Sequence, residues 1–153
     1  MMSFSEELIS RITKGNFEIC VEFFIVFSKF ESILKELLYM HKDKVDWDKF
    51  ISEEKQNIIN LEKNKTVEDS YTYLIKNPPK KQLIEDWILV WKKVDETWDN
   101  IFKTSRYIWR VRNNLFHWAK LWIENLERDI ILLQHSTNIL KHWLNLDRFR
   151  DKI

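Results

Sequence analysis

The chain predicts an all-α fold, a compact up-and-down bundle of about five to six helices, on three observations. Only one glycine and two adjacent prolines occur in 153 residues. Sheet-rich folds need many tight turns, which these residues normally supply. Apolar residues recur at helical spacing along most of the chain. The whole stretch from Lys80 to Leu126 contains neither glycine nor proline. At this length, residues 1–153 form a single domain with one core.

A first helix is expected over Ser3 to Thr13, ending at Lys14-Gly15-Asn16, where the glycine can take a left-handed C-cap. The second runs from about Phe17 to His41, with Phe23, Phe27, Phe30, Leu34, Leu37 and Leu38 on its apolar side. The charged turn Lys42 to Asp46 separates it from a third helix, Trp47 to Glu62. Thr66, followed by Glu68 and Asp69, reads as the N-cap of a short helix reaching about Ile75. Asn77-Pro78-Pro79 must break it, because proline lacks the donor and restricts the residue before it. From Lys80 to Leu126 the pattern predicts two helices with a bend near Lys103 to Tyr107. A last helix is expected over Glu127 to Asp147.

Cys20 is the single cysteine, so no intramolecular disulfide or cysteine-based metal cluster can form, as suits a reducing cytoplasm. The first fourteen residues lack the apolar core of a secretory leader. The longest apolar run, Phe23 to Phe27, is far short of the ~20 residues of a spanning helix. Cytoplasmic placement without a membrane anchor is the expectation, with no cofactor and no metal. His135 and His142 share a face of the last helix, but no acid or cysteine completes a ligand set beside them. His41, beside Lys42, reads as a helix cap. Most of the eight tryptophans read as core, with Trp87/Trp91 and Trp118/Trp122 at i,i+4 spacing.

Charge is balanced over the chain, at 25 basic against 24 acidic residues. It is not balanced locally. The 24 residues from Asn100 to Ile123 hold five cations and no acid, leaving 20 basic against 24 acidic residues elsewhere. A local basic patch of this kind suits a phosphate-bearing ligand. On a wheel with His117 at zero, Lys103, Arg106, Arg110, Asn113, Asn114 and Lys120 fall within about 60° of it. Ile108, Val111, Leu115, Ala119 and Trp122 lie opposite. Such a face is commonly just a solvated one, but solvated faces normally mix signs. Arg112 departs from the pattern at about 140°, towards the apolar side, where an arginine needs a partner or a function. Glu31 is a candidate partner.

Arg112-Asn113-Asn114-Leu115-Phe116-His117 resembles the Arg-x4–6-His motif of HEPN domains (higher eukaryotes and prokaryotes nucleotide-binding), in the form Arg-Asn-x-x-x-His. The resemblance covers six residues plus context, a helical domain with the motif on a late helix. It implies an HEPN-like domain and metal-independent cleavage of RNA at the cleft of a homodimer. Arg112 and His117 would then be catalytic, with Asn113 orienting the site. Small stand-alone relatives often resemble toxins or phage-defence effectors, which makes an antitoxin or regulatory protein a candidate partner. Many relatives follow the histidine with small residues such as glycine; here it is Trp118-Ala119, which bears on how closely a substrate backbone can approach.

The residue chemistry points the same way. Metal-free RNA cleavage uses the neighbouring 2′-hydroxyl as nucleophile and needs a base, an acid and stabilisation of phosphorane charge. Histidine can serve as either acid or base near neutral pH. Arginine stays charged and clamps phosphate oxygens. The basic window holds one histidine, so a two-fold dimer would supply the second. Lys103, Arg106, Arg110, Asn114 and Lys120 would gather the RNA, and Trp118 would stack on a base. Two other readings use the same face. One is a non-catalytic module that binds a nucleotide, RNA or protein, and the other is a structural helical subunit of a larger complex.

Overall fold

The computed structural model describes residues 1–13, 16–92, 99–116 and 126–153. Its helices are α1 (Phe4–Thr13), α2 (Phe17–Glu36), α3 (Trp47–Asn60), α4 (Lys65–Lys76), α5 (Asn100–Phe116), α6 (Leu126–Trp143) and α7 (Asp147–Arg150). Two small antiparallel hairpins interrupt them, β1 (Met40–His41) with β2 (Lys44–Val45) and β3 (Lys81–Glu85) with β4 (Ile88–Lys92). The molecule is an all-α bundle in which α6 packs against both α2 and α4, and α5 against α3 and α4.

Aromatic rings make the centre of the core. Phe30 of α2 lies 5.2 Å from Trp47, 5.4 Å from Phe50 and 5.4 Å from Phe149, ring centroid to centroid. Stacked and edge-on pairs at these separations add to what their burial already contributes. Trp47, at the start of α3, also stacks on Phe27. Its indole N–H donates to Glu31 Oε2 at 2.9 Å, so Glu31 fixes Trp47.

Helix α2 stops five residues short of the expected His41. The Leu38 N–H donates to the Lys35 carbonyl and the Tyr39 N–H to the Leu34 carbonyl, while Leu38 takes φ 62°. This is a Schellman ending, made without the glycine that would announce it in a sequence. The chain then turns through β1 and β2, where His41 faces Lys44 across the ladder. His41 is therefore an exposed strand residue and not a helix cap. Asp46 caps α3, accepting from the Lys49 N–H at 2.9 Å.

The cap of α4 is Asn64 and not Thr66: its side chain accepts from the Val67 N–H at 2.9 Å, and Thr66 lies inside the helix. That helix ends at Lys76, before the two prolines. The largest departure follows. Where the first of two helices was expected after Lys80, the chain forms the β3–β4 hairpin, joined by Asp86 and Trp87 at φ 49° and 65°. Positive φ at both central residues makes the two-residue turn whose twist matches paired strands. Nor does the chain divide into two helices at Lys103 to Tyr107, since α5 runs unbroken. Thr104 and Ser105 return their hydroxyl protons to the carbonyls of Asn100 and Phe102, so these polar residues stay buried without breaking the helix. The last expected helix divides at Trp143, and α7 adds Phe149 to the core. The Lys14-Gly15 cap lies outside the described residues.

Candidate functional site

Helix α5 carries the first part of the basic window. Asp99 starts it by accepting from the N–H groups of Ile101 and Phe102 at 3.0 and 3.1 Å. The other Asp99 oxygen receives Lys55 Nζ at 2.7 Å. This bond is the chief reason that the Asp99 carboxyl sits below the usual carboxylate range.

The face of α5 richest in polar residues is not its open face. Arg110 is only 8% exposed, and its guanidinium donates to the Pro79 carbonyl at 3.2 Å while lying over the Tyr107 ring. Asn114 Nδ2 donates to the Lys80 carbonyl at 2.9 Å, and Arg128 of α6 donates to the Pro78 carbonyl at 2.8 Å. Three consecutive carbonyls of the proline connector are thus held by three side chains. Two of these, Arg110 and Asn114, were expected to gather RNA; the structure turns them inward onto this segment. The connector needs such donors because Pro78 and Pro79 contribute acceptors and no N–H.

The accessible side of α5 is rotated from that centre. Trp109 is 43% exposed, with Arg106 one turn before it and Arg112 and Asn113 about one turn after. Arg106 pairs with Asp48 of α3 at 2.6 Å. Lys103 is half-buried. Arg112, anomalous on the wheel, lies at the edge of this open side. Its Nη1 donates to Asn113 Oδ1 at 3.0 Å, and its guanidinium carbon stands 5.9 Å from the Phe27 ring centroid. The motif's Arg-Asn pair is therefore in contact through its side chains. His117, Trp118 and Lys120 lie outside the described residues.

Beside Arg106 and Trp109 is a cleft of about 320 Å³. The β1–β2 hairpin supplies His41 and Lys44 to it, and α3 supplies Trp47 and Asp48. Sequence reasoning singled out neither Trp109 nor this role for His41. The wheel did contain one signal, an aromatic residue about 80° from His117, at the border of the polar face.

Among the described residues no group of three or more His, Cys, Asp or Glu could hold a metal ion. Among them no helix is long and apolar enough to cross a membrane. No protein-family model matches the chain, and neither a curated protein nor a solved structure matches it significantly.

Proposed function

We propose that this protein is a metal-independent endoribonuclease of the toxin or phage-defence type, acting as a homodimer and held in check by an antitoxin-like partner. The observation that carries the reading is the Arg112–Asn113 pair. Its two side chains touch at 3.0 Å on the open edge of α5, in the sequence Arg-Asn-x-x-x-His that resembles the HEPN motif. Asn113 engages one guanidinium nitrogen and the Phe27 ring borders the group, which limits the reorganisation needed when phosphate arrives.

In the proposed reaction one His117 takes the proton of the 2′-hydroxyl, whose oxygen attacks the adjacent phosphorus. A second His117, from the partner protomer, protonates the departing 5′-oxygen. The products are a 2′,3′-cyclic phosphate and a 5′-hydroxyl end. Arg112 balances the charge that builds on the phosphorane oxygens. Lys103 and Lys120 would raise the local concentration of RNA.

The test is digestion of single-stranded RNA in the presence of a chelator. His117→Ala and Arg112→Ala should each lower the rate at least about a hundredfold, as removal of a general acid-base group or a charge-stabilising donor does, with helicity unchanged. Undiminished cleavage by both variants overturns the assignment. The same reading expects a dimer on sizing. The alternative, a module that binds RNA or a nucleotide without cleaving it, draws support from the cleft of about 320 Å³ beside Trp109. That module would bind in a salt-sensitive manner and leave the RNA intact.

A further inference from the structure

We infer that the cleft beside Trp109 is a base-stacking subsite for single-stranded RNA, holding the nucleotide adjacent to the one engaged by Arg112 and Asn113. The inference rests on the RNA-directed reading of α5 and adds to it a second contact point.

Trp109 is a large aromatic side chain left 43% exposed on a helix whose neighbouring positions Ile108 and Arg110 are buried. It lies at the mouth of a cleft of about 320 Å³, at the lower end of the range for small-ligand sites. The cleft has a rigid floor. Trp47 is 7% exposed, stacked on Phe27 and Phe30 at 5.5 and 5.2 Å, and tethered to Glu31 by its indole N–H. An exposed aromatic surface is what a splayed base requires, since every base offers a π-face whatever its sequence.

The rim sets two cations, Lys44 and Arg106, against two carboxylates that the fold already uses: Asp46 caps α3 and Asp48 pairs with Arg106. His41 and Lys44 are exposed and face each other across the β1–β2 ladder. Arg106 also lines the cleft, held by Asp48. His41 and Lys44 would meet the backbone and leave the base to the aromatic surface. The spacing also agrees. Trp109 and Asn113 are four residues apart, about 6 Å along the helix axis, the scale of one sugar-phosphate repeat. A strand running along the open side of α5 could therefore stack one base on Trp109 while its neighbouring phosphate meets Arg112.

The experiment measures binding of a short, fluorescently labelled single-stranded oligonucleotide with 2′-O-methyl sugars, which cannot be cleaved. Trp109→Ala should weaken binding at least about tenfold, the loss of one base–aromatic stack. Trp109→Phe should recover most of it, and circular dichroism checks that both variants fold. An oligonucleotide with a single abasic position should show the same loss on the wild type at one register, and no further loss on Trp109→Ala. Equal affinity of wild type and Trp109→Ala overturns the subsite, as does an abasic penalty that persists in full on the variant. A wild type that binds the probe but leaves ordinary RNA intact overturns the ribonuclease and keeps the subsite. Cleavage with binding indifferent to Trp109 does the reverse.

Discussion

Leu38 and Arg112 both occupy positions that helical periodicity alone does not explain. Leu38 holds φ 62° at the Schellman position and is 72% exposed, so its side chain gains little from burial. A left-handed conformation costs a residue with a Cβ about 1 kcal/mol relative to glycine. Leu38→Gly is accordingly expected to raise stability by about that amount, measured as a shift in the denaturation midpoint. A loss of stability would mean that the exposed leucine makes contacts worth more than the backbone strain. Arg112 shows the converse. On the helical wheel it is out of place, and in the folded protein it borders Asn113 and the Phe27 ring. The expected Glu31 partnership was reasonable by charge, but Glu31 receives the Trp47 indole N–H.

At the scale of elements, the basic face of α5 and the proline connector explain each other. Arg110, Asn114 and Arg128 donate to the carbonyls of Pro79, Lys80 and Pro78 in turn, holding the root of the β3–β4 hairpin against α5 and α6. Arg110→Met keeps much of the buried side-chain volume and removes the donor, leaving a carbonyl to lose its partner. It should destabilise the protein by about 1–3 kcal/mol, read from urea denaturation, and expose the connector to proteolysis near Pro79. A neutral result would show that water replaces the guanidinium. Little of this arrangement could be read in advance. The wheel located polar residues correctly but could not say which neighbour covers them, because a periodic pattern carries no tertiary direction. The hairpin was equally obscure, since its turn is made by Asp86-Trp87 and lacks the usual glycine.

For the whole molecule, the α4–α6 interface sets a response to acid. Asn138 Nδ2 donates to Ser70 Oγ at 3.1 Å, and Ser70 Oγ shares a hydrogen bond of 2.8 Å with His135 Nδ1. The His135 ring also stacks on Tyr73, 4.4 Å between centroids. Burial lowers the pKa of His135, opposed by Asp69, and burial lowers that of His142, assisted by Lys63. Both groups therefore bind protons more readily when unfolded. Stability should be full above the unfolded histidine pKa of about 6.5 and fall as pH drops below it. Thermal melts across that range should show the decline, reduced in His135→Asn; a melting temperature constant down to pH ~5 would contradict it.

The sequence by itself determined the fold class, the break at Pro78-Pro79 and the location of the basic window. Each of these follows from local or periodic properties: scarce turn residues, recurring apolar positions, a missing N–H, summed charge. Only the tertiary structure decided which side of α5 remains open, that Arg110 and Asn114 turn onto the proline connector, and that His41 and Trp109 line one cleft. Those outcomes depend on which elements pack together, and packing is a competition among many pairings that no single helix encodes. Exposure, and with it the choice of residues able to meet a ligand, belongs to the assembled bundle.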